Sequence, residues 1–233
     1  MSNHSSNRAI LVLESPWEID QHDSNRCSVI PFVEGIGKLA GDTEVYYANF
    51  YDKSSFQKAL DCLCKRKFKN TIVYIAAHGY ETEVGSVSIS DLLFMVGEKS
   101  KCYNITGLMF GSCFVGGNVF TMEAFLEQTN IRWAAGYSST SKWLEGTLID
   151  CAILSAMSDL DDEDYRIRDN IINALGVAIS GFSANFNIGE DYDGEPVKLE
   201  DSLQFVIQPR GQGNRAKTVT QAVFGVHNDN QLN

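Results

Sequence analysis

Apolar and polar positions along this chain fall into two alternating kinds of block: short continuous apolar runs, and longer stretches with apolar residues at helical spacing. Residues 9–14 (AILVLE) form an unbroken apolar run, the pattern of a strand buried on both faces. Residues 28–40 follow as a helix, with Pro31 near its start, where the missing N–H does no harm. Residues 44–50 (EVYYANF), β-branched and aromatic, predict a second strand. In 54–67, Phe56, Ala59, Leu60 and Leu63 recur at helical spacing. Residues 71–77 (TIVYIAA) are the third strand, 81–86 a polar loop, and 87–96 a short strand or turn leading into a helix. Residues 105–111 (ITGLMFG) are the fourth strand, 119–128 an amphipathic helix and 132–137 a fifth strand. Two helices, 144–157 and 165–183, flank the acidic run 159–164, and 203–207 is a late strand.

Strands alternating with helices specify an α/β fold, a three-layer sandwich whose mostly parallel central sheet is flanked by helices. No repeat, low-complexity tract or linker interrupts the alternation. The expectation is one domain over residues 1–210, followed by a polar, poorly patterned C-terminal tail over 211–233. The chain has 233 residues, 44% hydrophobic and 21% charged, enough for one sizeable core. No apolar run reaches the roughly 18 to 20 residues that span a bilayer. The start, MSNHSSNRA, lacks the apolar stretch of a signal peptide, so a cytoplasmic location is expected. A net charge of −11 argues against nucleic acid, whose phosphates need a basic face, and by itself names no other partner. The six cysteines (Cys27, Cys62, Cys64, Cys102, Cys113 and Cys151) read as reduced thiols. Cys62-Leu63-Cys64 lacks the second ligand pair of a tetrahedral zinc site, so no metal is expected there.

Two of the apolar runs end on reactive side chains. The third strand runs into His78-Gly79; the fourth runs into Ser112-Cys113, followed by Gly116-Gly117. In an open α/β sheet, ligands and chemistry gather outside the carboxyl ends of the strands. Cys113 lies thirty-five residues after His78, close to one βαβ unit, so the two strand ends lie side by side or one strand apart. Either residue alone is more simply a packed side chain. Together, at one sheet edge and each followed by small residues, they form a candidate nucleophile and base. The Gly79 and Cys113 N–H groups are candidate oxyanion donors, and Gly111, Gly116 and Gly117 would let a substrate backbone come close.

A hydrophobic strand ending in His78-Gly79, followed by one ending in Ser112-Cys113, resembles the caspase-like (clan CD) cysteine peptidases. That group includes caspases, metacaspases, separase, gingipains and the bacterial CHAT peptidases. The resemblance covers about residues 9–157 in element order as well as motif. It implies a cysteine endopeptidase with a Cys113–His78 dyad acting on protein or peptide substrates, with no metal or organic cofactor. The Q-A-C-x-G motif of animal caspases is absent. The likeness is rather to compact bacterial members, some of which serve in antiphage defence. It further implies control by an activating partner, a small-molecule ligand or self-cleavage, with 81–86 and 159–164 as candidate loops. The family's first specificity pocket is lined by the loop after the fifth strand and the end of the first strand, which here implies Ser138, Ser139, Thr140, Ser141 and Glu14. Members that cut after arginine carry acidic residues in that loop, where this chain has serine and threonine. Glu14, Asp20 and Asp23 are the carboxylates left to receive a basic side chain, so a basic or small residue before the cleaved bond is expected.

Residues 159–164 (DLDDED) resemble a calcium-attracting cluster, and some metacaspases need calcium, but the D-x-D-x-D-G order is missing. A run of carboxylates ahead of a helix is ordinarily dipole complement and solvated turn. Residues 191–195 (DYDGE) are a tight acidic turn, and Tyr137 and Trp143 are core residues by default. The rival reading is a catalytically idle caspase-like or flavodoxin-like module that binds a nucleotide or protein at the same edge. It lacks a G-x-G-x-x-G or Walker loop and has no need of both His78 and Cys113. A second rival is a different hydrolase, using the same dyad on a small amide or ester.

Overall fold

Along β1 (Arg8–Glu14) successive side chains point to opposite faces, and both faces are buried, so the strand must be covered from both sides. The structure, a computed structural model, describes residues 7–17 and 27–231. After β1 come α1 (Ile30–Ala40), β2 (Thr43–Asn49), α2 (Lys53–Leu63) and β3 (Asn70–Ala76). A small hairpin, β4 (Glu83–Val84) and β5 (Val87–Ser88), precedes α3 (Ile89–Tyr103), β6 (Ile105–Gly111), α4 (Val119–Gln128) and β7 (Trp133–Tyr137). The chain continues through α5 (Trp143–Asp159), α6 (Arg168–Ile179), β8 (Asn187–Glu190), β9 (Pro196–Lys198), α7 (Leu199–Ser202), β10 (Leu203–Ile207), β11 (Lys217–Thr218) and α8 (Thr220–Gln231).

Seven strands form one sheet in the order β11-β10-β7-β6-β3-β1-β2. The five from β2 to β7 are parallel, and β10 and β11 each run antiparallel to their neighbour. The fold is therefore α/β, with a mostly parallel central sheet between two helical layers. Val73 and Ile75 of β3 join one core with Phe56 and Leu60 of α2, Leu92 and Val96 of α3, and Met122 and Leu126 of α4. Ile72 and Tyr74 join the other, with Val33 of α1, Ile149 and Ile153 of α5, Ile171 and Leu175 of α6, and Val223 of α8. Burying one such aliphatic side chain is worth about 1.5–3 kcal/mol, so both faces of the sheet contribute heavily to stability. Asn70, buried at the start of β3, donates to the carbonyls of Met157, Ser158 and Leu160. That bond set moors the C-terminus of α5 to the sheet and fixes how far along the sheet the helix lies.

The strands match the hydrophobic runs closely; the connections depart from them. Helix α2 stops at Leu63, four residues short of the predicted end. The exposed Lys65, Arg66 and Lys67 then make a turn that returns Phe68 to the core. The polar segment 81–86 forms part of the β4–β5 hairpin, whose turn residues Gly85 and Ser86 have positive φ (52° and 65°). Residues 211–231 do not extend away as a tail: β11 pairs with β10, and α8 packs on α6 with Val223, Phe224 and His227 buried. Asparagines and glutamines around those three positions dilute the periodicity that would have marked the helix. The β8–β9 hairpin was likewise not marked by the sequence pattern.

Candidate active site

Strands β3 and β6 are adjacent and parallel, with Ala76 opposite Gly111, so both deliver their following residues to one edge. Past β3, the His78 carbonyl accepts from Gly85 N–H at 2.9 Å and Tyr80 N–H donates to Glu83 at 2.8 Å. Gly79, bridged between them to Val84, keeps its own N–H out of that pairing. A Cβ on Gly79 would lie 2.2 Å from the Cys113 carbonyl oxygen and 2.9 Å from its nitrogen. Only glycine permits this contact of the two turns, and it brings the two candidate oxyanion donors together. Among the described residues, nothing accepts a hydrogen bond from the backbone N–H of Gly79 or Cys113.

After Cys113 the chain turns sharply at Phe114, a non-glycine residue in the left-handed region (φ 64°, ψ −7°). Such a residue costs about 1–3 kcal/mol and persists where its surroundings over-determine it. Here its N–H donates to Ser139 O at 3.0 Å, and its ring stacks on Tyr192 of the β8–β9 turn, centroids 4.2 Å apart. The strain is held at the residue next to the candidate nucleophile.

The exposed His78 ring is fixed by one bond: Nε2 lies 2.6 Å from the Trp17 carbonyl oxygen. A carbonyl only accepts, so Nε2 carries the proton and Nδ1 keeps its lone pair for another donor. The Trp17 indole packs edge-on against the imidazole at 5.2 Å and donates Nε1–H to Glu14. Glu14 is fully buried and also accepts from Ser28 Oγ (2.7 Å) and Val29 N–H (3.0 Å). Through these bonds Glu14 ties the exit of β1 to the start of α1 and holds Trp17, which holds His78. Asp20 and Asp23 lie outside the described residues.

The loop after β7 divides its four candidates. Ser141 N–H donates to Cys113 Sγ at 3.4 Å, so Ser141 stands at the thiol. Ser138 bonds back to Asp201 and Ser202, and Ser139, buried, bonds to Ser202 Oγ and Thr140 O. Thr140 pairs with Glu190 of β8. Among the three glycines, Gly111 lines the site, while Gly116 packs against β7: a Cβ there would lie 2.3 Å from Gly136 O. Gly117 is exposed, with open space about it.

His78 and Cys113 share a cavity of about 150 Å³ with Trp17, Tyr74, Gly111, Ser141, Trp143, Gly146, Thr147 and Asp150. Exposure falls from His78 through the half-buried Cys113 to Tyr74 and Asp150, which are 1% exposed. Sequence reasoning missed Asp150, although a carboxylate inside LIDCAIL was the available signal. Tyr74 Oη–H donates to its Oδ2 (2.7 Å) and Tyr137 Oη–H to its Oδ1 (2.8 Å). Burial pushes the Asp150 carboxyl up to about 7, against the pull of the two tyrosine bonds. Burial, and then the neighbouring Asp150 charge, hold both phenols well above their ordinary value, so they stay protonated donors. Tyr137 and Trp143 are both more than core: one holds Asp150 and the other walls the cavity.

The acidic run is consumed by local bonds. Asp159 pairs with Arg8, Asp162 with Arg210, and Asp161 Oδ1 accepts from the N–H groups of Glu163 and Asp164. Asp191 similarly closes its own turn through Asp193 and Glu195 N–H. Among the described residues no group of three or more His, Cys, Asp or Glu side chains is placed to hold a metal ion. None of the described helices is long and apolar enough to cross a membrane.

No protein-family model and no curated protein matches the chain. Among solved structures, a complex of the pro- and mature domains of Porphyromonas gingivalis RgpB matches over 90% of this chain and 67% of its own, with a TM-score of 0.44 and 10% identity.

Proposed function

We propose that the chain is a cysteine peptidase with Cys113 as nucleophile and His78 as its proton carrier. The observation that carries this reading is the meeting of the two strand-end turns: His78 and Cys113 line one cavity, and Gly79 rests on the Cys113 backbone. In the first half of the reaction the Cys113 thiol proton passes to His78 Nδ1, and Sγ attacks the scissile carbonyl carbon. The oxyanion that forms is received by the N–H groups of Gly79 and Cys113. As the C–N bond breaks, His78 returns the proton to the leaving amine, and a thioester remains on Cys113. Water then attacks the thioester, His78 takes its proton and passes it to Sγ, and the carboxylic acid leaves. Trp17 O supports both transfers by holding the Nε2–H tautomer throughout.

The test is cleavage of a fluorogenic peptide library by the purified protein. Cys113→Ala should abolish cleavage, and His78→Ala should lower it by about 10²–10⁴-fold, the usual worth of a positioned acid–base group. Cleavage that survives both substitutions sinks the reading. A wild type that cleaves no peptide, and whose Cys113 alkylates no faster than the exposed thiols, favours an idle binding module.

A further inference from the structure

The chemistry just described leaves Asp150 without a task, yet a carboxylate buried away from water is costly to keep. Among the described residues no lysine or arginine pairs with it; its hydrogen-bond partners are two tyrosine hydroxyls. Each hydroxyl occupies one oxygen, and each oxygen retains a further lone pair. The Tyr74 proton is committed to Asp150, and the Tyr137 proton is shared between Asp150 (2.8 Å) and the Gly146 carbonyl (3.2 Å), so neither hydroxyl has a donor to spare for a ligand at this end of the cavity. The outer end is formed by Cys113, His78 and Ser141, and the walls between are aromatic (Trp17 and Trp143) or small (Gly111, Gly146 and Thr147). Gly111 is required for this shape, because a Cβ there would lie 2.6 Å from both Asp150 Oδ2 and Tyr74 Oη. A slot with a thiol at its mouth, aromatic walls and a carboxylate at its buried end complements an apolar stem tipped by a cation.

We propose that Asp150 is the specificity residue of this site, and that it selects a cationic side chain, lysine or arginine, on the residue that precedes the cleaved bond. The inference rests on the peptidase reading and extends it from reaction class to substrate class. It relocates the acidic determinant from Glu14, which is saturated by its own loop, to the middle of α5. Trp143 Nε1–H is buried without a partner among the described residues, which leaves the wall one donor for a substrate oxygen. An amide side chain that used both Trp143 and Asp150 is the strongest competitor, so the test includes one.

The experiment measures alkylation of Cys113 by peptidyl chloromethyl ketones that differ only in the residue next to the warhead: lysine, arginine, leucine, asparagine or aspartate. Each rate is read by mass spectrometry and divided by the rate with chloroacetamide in the same protein. The lysine and arginine reagents should exceed the other three by at least about 100-fold, the scale of a buried charge pair. In Asp150→Asn that advantage should fall below about tenfold, the charge pair being gone. Equal rates for basic and neutral reagents, with chloroacetamide still singling out Cys113 in a His78-dependent way, overturn the inference and leave the peptidase reading standing. An undiminished basic preference in folded Asp150→Asn also overturns it. If chloroacetamide labels Cys113 no faster than Cys27, Cys62 and Cys102, and His78→Ala changes nothing, the peptidase reading fails and this inference with it. Should Asp150→Asn not fold, the wild type supplies the answer. Butylguanidinium should protect Cys113 from chloroacetamide where neutral butylurea does not, and equal protection by the two overturns the proposal.

Discussion

At Asp150 the sign of the electrostatics can be followed from burial to a measurable curve. Its folded value of about 7 stands above the ordinary 3.8, so between those pH values the folded state binds more protons than the unfolded chain. Stability from this group is therefore fully present below about pH 4 and is lost as the pH rises to about 7, by ~4 kcal/mol over the three-unit window. Asparagine cannot ionise. The stability of Asp150→Asn minus that of the wild type should accordingly rise by about that amount between pH 4 and 8, as read from denaturant unfolding at each pH. A flat difference would mean that the carboxyl titrates normally. Gly79 makes a steric prediction at the same scale. Gly79→Ala places a methyl carbon within 2.2 Å of the Cys113 carbonyl oxygen, so the two turns must part. The expected result is loss of peptide cleavage and a lower melting temperature. By contrast Gly35, inside α1 with no atom within 4 Å of its Cβ position, should gain about 0.5–1 kcal/mol on substitution by alanine.

At the scale of elements, the helix at the C-terminal end of the described chain is part of the domain's frame. Phe224 is 5% exposed on α8, and His227 Nε2 is 2.6 Å from Phe182 O beyond α6. Phe224→Ala should cost about 3–5 kcal/mol by leaving a cavity between α8 and the sheet, measured by urea unfolding. A cost below 1 kcal/mol would show that α8 merely rests on the domain. The β8–β9 hairpin serves the site more directly, since its Tyr192 covers the strained Phe114. The sequence pattern shows neither element well, and for different reasons. In α8 the buried positions are too few among polar neighbours to announce a period. In the hairpin only two of the four residues of β8 are buried, and its value lies in what it covers.

For the molecule as a whole, the strands and the placing of His78 and Cys113 at one sheet edge were legible, because strands buried on both faces must be continuous apolar runs and the residues after them stand out. The pocket was not. Its members come from the exit of β1, β3, β6 and the turns that follow them, the β7 loop and α5, and no local pattern says which buried tyrosine faces which carboxylate. The bonding of Glu14 was hidden for the same reason: its partners Ser28 and Val29 are distant in sequence and near in space. The thiols offer a whole-molecule check of this packing. Burial raises Cys64 to about 11 and Cys151 to about 12, so both should stay silent to alkylation in the folded protein and react once it is unfolded. Cys27, Cys62 and Cys102 are exposed and Cys113 partly so, which predicts four modified thiols in the native state by intact-mass measurement.

The cavity's long reach along the chain, from Trp17 to Asp150, also orders its completion in time. During synthesis, at about 5–20 residues per second, the ribosome releases His78 and Cys113 seconds before the segment carrying Ser141, Trp143 and Asp150. Until that later segment emerges, the thiol has neither the Ser141 N–H beside it nor a pocket behind it. On the proposed reading, a nascent chain thus carries its nucleophile well ahead of the means to choose what that nucleophile attacks.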